Sequence, residues 1–385
     1  MNTSDTFGLY AVLGAAFFIL LSRPSKNSAY TLPILLGMIA GLMHLGRADG
    51  ILWLGFAWIG AIFAPLSKME KFSFRGITQK SLLILGGYLI VMGPWFARNL
   101  RVFGSLLAPG NSRSLWITTY NELFIYPASQ LTFEHWLASG FSAIIKARTW
   151  ALGINLQRSL AEQGIIFLAP FILLGLWGMR KDFRVRLAGF IWLCTFLVMT
   201  VVFPLQGARG GFFHSSAALL PILWALAPVG LNNALAWAGR VRGWNIREAS
   251  LIFSGAVLFF TILLSVFAVG SKMLGEENGV SPWEQNQITY QKLEETLTGF
   301  GALPADVVLT IDSPGYYAYT QRRALAIPDG EVQVSLDVAK KFGGDFLLLE
   351  SDHPEGLNDL YEHPETPFGL EYLTTIDGTH IFRIK

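Results

Sequence analysis

The chain has 385 residues, of which 52% are hydrophobic and only 15% are charged. A soluble domain of this length carries more charge and fewer apolar residues, so the composition excludes an ordinary soluble enzyme and indicates a membrane protein. Residues 1–270 hold 21 Lys and Arg against 8 Asp and Glu, whereas residues 271–385 hold 8 against 19, so a basic body precedes an acidic tail. The sequence contains no basic stripe of the kind that indicates binding to nucleic acid.

Eight apolar windows are long enough to cross a membrane as helices. A bilayer core of roughly 30 Å requires about 17–25 helical residues. The windows are residues 5–21, 31–46, 50–66, 81–97, 162–178, 187–204, 214–238 and 250–270. The sequence therefore predicts a polytopic α-helical membrane protein with about eight transmembrane helices.

The basic residues of the short loops predict the orientation of these helices. Thirteen Lys and Arg lie in alternate loops, whereas Arg47 and Arg209 are the basic residues of the short loops on the other side. Lys and Arg of short loops favour the cytoplasmic side. We therefore expect a multi-pass protein of the cell membrane whose N-terminus and C-terminal domain are both extracytoplasmic.

Two further segments have a predicted structure of their own. The long external segment 98–161 belongs to the predicted transmembrane domain 1–270, and residues 131–150 within it predict an interfacial helix. After residue 270, amphipathic helices alternate with short apolar strands and a closing hairpin. This pattern predicts a small soluble α/β domain over residues 271–385.

The stretch HLGRADGILWLGF places Arg47 and Asp49 between two apolar windows, next to Gly46 and Gly50. The glycines permit a tight turn at the membrane edge. Ionisable groups near the apolar region cost about 2.5–3.5 kcal/mol each at a helix centre, which makes them functional candidates. The alternative is a helix turn with an exposed ion pair of little energetic value.

Arg209 and His214, in PLQGARGGFFHSSAALLP, are candidates to bind a leaving phosphate. The glycine pair allows the backbone to approach a ligand closely, and a helix that begins near His214 would favour an anion at its N-terminus. The alternative is a loop arginine and a histidine at a helix start, without a ligand.

Four more candidates flank or lie within the external segment. Arg98 and Arg101 are candidates for the same anion, although arginines also snorkel at helix ends. Tyr120 and Glu122 are candidates to line a sugar or acceptor site, because aromatic faces suit sugar rings. Aromatic residues at a membrane interface also serve simply as anchors.

Three segments resemble those of one known family. LLGMIAGLMHLGRADGILWL resembles a Gly-containing helix, an Arg-Pro-Glu/Asp-Gly turn and an apolar run, with Ala48 in place of the usual proline. MGPWFARNLRVFGSLLAP resembles a Pro-Trp, Arg-Asn, Phe-Gly-Ser sequence, and SDTFGLYAVLGAAFFILL resembles a helix that starts with Ser-Glu or Ser-Asp. The family is the C superfamily of polytopic glycosyltransferases, the relatives of protein mannosyltransferases and aminoarabinose transferases.

The resemblance implies transfer of a sugar from a polyprenyl-phosphate carrier to an acceptor on the outer face of the membrane. A carboxylate would act as general base, for which Asp49 and Asp5 are the candidates. Basic residues or a divalent cation would hold the leaving phosphate, and the cofactor requirement stays unknown. The predicted α/β domain 271–385 contains no cluster of metal-ligating residues, and we single out no metal ligand in the sequence.

The chain departs from the family at its start. The family's main catalytic Asp lies in an external loop before the Ser-Glu/Asp helix, at which this sequence begins. We therefore expect a missing N-terminal segment or a partner subunit, and little or no transfer by the chain alone. The alternative function is a non-catalytic membrane protein that binds or transports a polyprenyl lipid.

Overall fold

A computed structural model of the chain describes residues 6–22, 30–66, 73–108, 110, 113–274, 282–365 and 369–385. The chain divides into two compact units. The helical unit comprises residues 2–111 and 145–265, and the sheet unit comprises residues 112–144 and 266–385.

Helices account for most of the described structure. In chain order they are α1 (Thr6–Ser22), α2 (Thr31–Gly46), α3 (Leu52–Leu66), α4 (Phe74–Phe103), α5 (Phe133–Ala138), α6 (Gly140–Arg158), α7 (Ala169–Gly178), α8 (Phe183–Leu197), α9 (Pro204–Gln206), α10 (Phe212–Ser216), α11 (Leu220–Arg242), α12 (Ile246–Leu274), α13 (Pro282–Gly299), α14 (Ser313–Thr320), α15 (Val332–Phe342) and α16 (Asn358–Glu362). Short π-helical turns follow three of them, at Ser159–Gln163, Val198–Val202 and Gly207–Gly211.

Several helices are suited to a membrane. Within the described residues, the four that are long and apolar enough to cross one are Phe74–Phe103, Phe183–Val202, Pro204–Arg242 and Ile246–Gly270. Shorter apolar helices of 10–17 residues, at Thr6–Ser22, Thr31–Gly46, Ala48–Phe63 and Ala169–Gly178, coincide with the other predicted windows. The apolar windows therefore form helices, of which four meet the length that a membrane span requires.

The core of the helical unit lies where α1, α2 and α4 meet. Tyr10, Phe17, Leu36, Met43 and Ile84 are all fully buried there. The hydroxyl of Tyr10 donates a hydrogen bond to the carbonyl oxygen of Met43 at 2.7 Å. A buried tyrosine hydroxyl requires such a partner, so this bond fixes α1 against the end of α2.

The predicted span at residues 162–178 is interrupted in the structure. The π-helical turn Ser159–Gln163 ends the helix, and α7 begins only at Ala169. Between them Ile165 and Ile166 have φ of +42° and +47°, a region that β-branched residues rarely adopt. Pro170 explains the late start of α7, because proline lacks an N–H and fits only the first turn of a helix.

The helix predicted over residues 131–150 forms as two helices, α5 and the first part of α6. The Thr132 hydroxyl accepts a hydrogen bond from the His135 N–H at 3.2 Å and starts α5. Gly140 has φ of +83°, which breaks the helix before α6 continues.

The sheet unit contains a mixed five-stranded sheet, and every predicted strand of the tail is present. The strands are β1 (Val307–Thr310), β2 (Ala324–Ala326), β3 (Gly344–Leu349), β4 (Leu370–Ile376) and β5 (Thr379–Ile384). Their order is β2-β1-β3-β5-β4, with β1 parallel to β2 and β3, and β5 antiparallel to β3 and β4. Val308 and Phe346 pack in one buried cluster with residues of α13, and Leu309 and Leu347 in another with residues of α15. Strand alternation thus gives the sheet a core on each face.

Part of the segment 98–161, which the sequence predicts to be external, belongs to the sheet unit. The N–H of Asp329 donates to the carbonyl oxygen of Phe124 at 3.0 Å, and Ile125 forms a parallel bridge with Asp329. The ring of Tyr126 lies 6.3 Å from that of Phe342 at the end of α15. Residues 124–126 therefore attach this segment to the α/β fold.

Candidate functional site

The turn between α2 and α3 presents Arg47 and Asp49. Arg47 leaves the helix in an extended conformation, and its N–H donates to the carbonyl oxygen of Met43 at 3.0 Å. A one-turn 3-10 helix, Ala48–Ile51, leads into α3. A methyl group on Gly50 would overlap the carbonyl group of Met43, so this turn requires glycine.

Asp49 joins this turn to a distant helix. Nε of Arg47 lies 3.0 Å from Oδ1 of Asp49, and the hydroxyl of Ser215 in α10 donates a hydrogen bond to Oδ2. The two charged side chains are mostly buried, with exposed fractions of 21% and 14%. Nη2 of Arg47 also reaches the carbonyl oxygen of Gly211 at 3.5 Å. Both carboxylate oxygens are therefore held by groups of the chain itself.

A broken helix lies next to the cluster that Arg47, Asp49 and Ser215 form. Between α9 and α10 the helical conformation fails at Arg209 (φ −87°, ψ 18°) and Gly210 (φ 123°). Arg209 is exposed there, whereas His214 is half-buried, with its ring 6.4 Å from that of Phe7. The structure thus collects Arg47, Asp49 and Ser215 beside the segment that carries the two predicted phosphate-binding residues.

This arrangement is able to bind an anionic group through Arg47 and a hydroxyl group through Asp49. Arg47 retains N–H donors beyond the two used on Asp49 and Gly211, because a guanidinium has five. The carboxylate is fixed from two sides and is therefore able to orient a hydroxyl that approaches it. Within the described residues, no group of three or more His, Cys, Asp and Glu stands close enough to hold a metal ion.

A second feature of the helical unit is an apolar groove of about 300 Å³ among α6, α7, α8 and α11. Its lining includes Leu156, Leu160, Ile172, Leu173 and Trp192. A chain of hydrocarbon fits such a surface, because it gains burial without the need for polar partners.

Gln163 connects this groove to the cluster. Its side chain accepts a hydrogen bond from Nε1 of Trp192 at 2.8 Å and donates to the hydroxyl of Ser216 at 2.7 Å. Nε1 of Trp224 donates a hydrogen bond to the backbone carbonyl oxygen of Gln163 at 2.8 Å. Ser216 follows Ser215 in α10, so two adjacent residues of this helix contact Gln163 at the groove and the Asp49 carboxylate.

Arg98 and Arg101 both lie near the C-terminal end of α4. Arg98 interacts locally, with its guanidinium 5.0 Å from the Trp95 ring and a hydrogen bond to Asn99 at 3.1 Å. Arg101 is exposed in the last turn of α4. Asp5 lies outside the described residues, so its position is a prediction only.

Tyr120 and Glu122 belong to the sheet unit. The Glu122 carboxylate accepts hydrogen bonds from the backbone and hydroxyl groups of Thr118 and Thr119, at 2.9–3.2 Å. Nε2 of His135 lies 3.5 Å from the same carboxylate. Glu122 therefore stabilises the turn in which it lies. The centre of the Tyr120 ring lies 5.9 Å from that of the Phe124 ring.

Sequence reasoning identified the Arg47–Asp49 pair but not Ser215, Gln163 or the groove. The sequence did carry a signal for Gln163, because an amide within an apolar window requires hydrogen-bond partners when it is buried. No such signal distinguished Ser215, because small hydroxyl residues are common in membrane helices. No known protein family, curated protein or solved structure matches the chain.

Proposed function

We propose that the chain is a membrane glycosyltransferase-like protein that acts on a sugar linked to polyprenyl phosphate. The observation that carries this proposal is the Asp49 carboxylate held between Arg47 and Ser215, next to the broken helix with Arg209 and His214. Sugar transfer needs a carboxylate near the acceptor and cations near the leaving phosphate. The cluster contains both.

The proposed topology has eight spans, with the N-terminus and the sheet unit extracytoplasmic. The thirteen basic residues in alternate loops and the apolar character of all eight windows support it. Helices somewhat shorter than the bilayer thickness are accommodated by local thinning of the bilayer. The Arg47–Asp49 turn then lies at the outer surface, where a polyprenyl-phosphate head group is located.

Each part of the cluster has a role in this proposal. Asp49 receives the proton of the acceptor hydroxyl or orients that hydroxyl for attack. Arg47, Arg209 and His214 hold the phosphate that leaves. The apolar groove beside Gln163 takes the isoprenoid chain, because pockets of this kind bury most of an apolar ligand.

Because we expect little or no transfer by the chain alone, the test uses the protein purified from its own membrane together with any subunit that co-purifies with it. Sugar transfer is measured in nanodiscs with a polyprenyl-phosphate hexose as donor. Asp49→Asn and Arg47→Ala should each lower the transfer rate by about 100-fold or more while membrane insertion is unchanged. Glu248→Gln, which changes an exposed acid in the first turn of α12, is the matched control. Equal rates for wild type and both site variants would contradict the proposal.

A non-catalytic lipid-binding protein is the second candidate. It is favoured by the engagement of both Asp49 oxygens, which already accept hydrogen bonds from Arg47 and Ser215. In that case the carrier lipid binds to wild type and no variant or acceptor yields a transfer product.

A further inference from the structure

A small space bounded by two basic side chains lies at the break between α9 and α10. A methyl group on Gly210 would lie 3.8 Å from Nε2 of His214 and 4.0 Å from Nη1 of Arg158. Gly210 has φ of +123°, a conformation that other residues rarely adopt. The glycine therefore keeps open a space that an imidazole and a guanidinium both face.

Arg158 is able to serve a ligand in this space. It is the last residue of α6, and its side chain is one-quarter exposed. Its acidic neighbour, Glu162, lies one turn later with 3.9 Å between Nη1 and Oε2, and is itself 38% exposed. A pair this long and this accessible to water contributes little, so it leaves the guanidinium able to bind another anion.

Arg158 also stands next to the apolar groove. Ser159 and Gln163, in the π-helical turn that follows Arg158, line that groove together with Leu156 and Leu160. The same turn of the chain therefore carries a cation on one side and an apolar surface on the other. This is the pattern that an amphiphile with an anionic head and a hydrocarbon tail requires.

The geometry points to the space beside Gly210 as a phosphate-binding subsite, in which Arg158 and His214 donate hydrogen bonds to one phosphate oxygen of the carrier lipid. This inference rests on the proposed function and adds a residue, Arg158, that the sequence did not single out. An oxygen placed there needs shifts of about 1 Å or less in the two side chains to reach N–H···O distances of about 3 Å. A charge-assisted hydrogen bond from the guanidinium would also discriminate phosphate from an uncharged head group.

The experiment compares two probes with the same chain, farnesyl phosphate and farnesol, bound to the full protein in detergent. Wild type should prefer the phosphate by about tenfold or more, the effect of one hydrogen bond to a charged group. Arg158→Gln should lose most of that preference and bind farnesol as before, which also shows that the variant is folded. Arg75→Gln, an exposed arginine in the first turn of α4, should behave as wild type.

The outcomes separate this inference from the proposed function. An unchanged phosphate preference in Arg158→Gln, with the preference present in wild type, overturns the subsite and leaves the proposed function standing. No binding of either probe by wild type overturns both. Displacement of farnesyl phosphate by inorganic phosphate at equal concentration overturns the lipid assignment, because it identifies a site for a soluble anion.

Discussion

The hydroxyl of Ser215 donates a hydrogen bond to the carboxylate of Asp49, a residue 166 positions earlier in the chain. This bond ties the turn after α2 to α10. Ser215→Ala should lower binding of a polyprenyl phosphate by about tenfold, the typical cost of one hydrogen bond to a charged group. Ser215→Thr should retain most of the affinity, and equal affinities for alanine and threonine variants would refute a role for the hydroxyl.

The turn at residues 47–50 depends on Gly50. A methyl group there would overlap the Met43 carbonyl, whereas a methyl group on Gly55 would meet nothing within 4 Å. Gly50→Ala should destabilise the helical unit by about 1–3 kcal/mol, the usual cost of overpacking, and Gly55→Ala should not. Thermal unfolding in detergent measures both, and matching midpoints would show that the turn tolerates a side chain.

A buried ion pair stabilises the sheet unit. Arg322 has a side chain that is 3% exposed, and Nη2 lies 2.6 Å from Oε1 of Glu294 in α13. Arg322→Met leaves the Glu294 carboxylate without its cation and should cost about 3–5 kcal/mol. Lys292→Ala breaks the exposed pair with Asp377 and should cost less than about 1 kcal/mol. Chemical denaturation followed by hydrogen exchange in the strands distinguishes the two variants.

The stability of the sheet unit should depend on pH through Glu350. Burial, with Asp312 and Asp352 nearby, raises the pKa of this carboxyl, while its hydrogen bond from Thr310 opposes the rise. The folded state therefore holds the proton more tightly than the unfolded state. The contribution of Glu350 to stability is therefore fully present below the ordinary carboxyl pKa and is lost as pH rises through the raised value.

Glu350→Gln should remove part of this pH dependence. Its amide oxygen still accepts the hydrogen bond from Thr310, but it carries no charge to bury. We expect greater protection of the β1 and β3 amides at neutral pH, with a smaller change from about pH 4 to about pH 8. Glu362→Gln, an exposed acid in α16, is the control, and the same pH profile in all three proteins would rule out Glu350 as the source.

The sequence predicted those parts of the fold whose patterns are local. Hydropathy identified the apolar helices, and short apolar runs between amphipathic segments identified the strands of the tail. It did not predict α14, because SPGYYAYT has the Pro-Gly composition of a turn. The structure shows why it is a helix: Pro314 occupies the first turn and the Asp312 side chain accepts a hydrogen bond from the Gly315 N–H.

The candidate site was predictable only in part. Gly46 and Gly50 around Arg47 and Asp49 indicated an ionised turn at a membrane edge. The partner of Asp49 was not predictable, because Ser215 lies 166 positions further along the chain and only tertiary packing brings it close. The same holds for Arg158, whose proximity to the 207–211 break depends on where α6 ends.

The most direct measurement is the lipid that accompanies the full protein from its own membrane, compared between wild type and Arg47→Ala. Lipids extracted from the purified proteins are identified by mass spectrometry. If the cluster binds a polyprenyl-phosphate carrier, that lipid is enriched on wild type relative to the bulk membrane and is depleted on Arg47→Ala. The same mixture of bulk phospholipids on both proteins would contradict the assignment of this cluster as the site for the carrier.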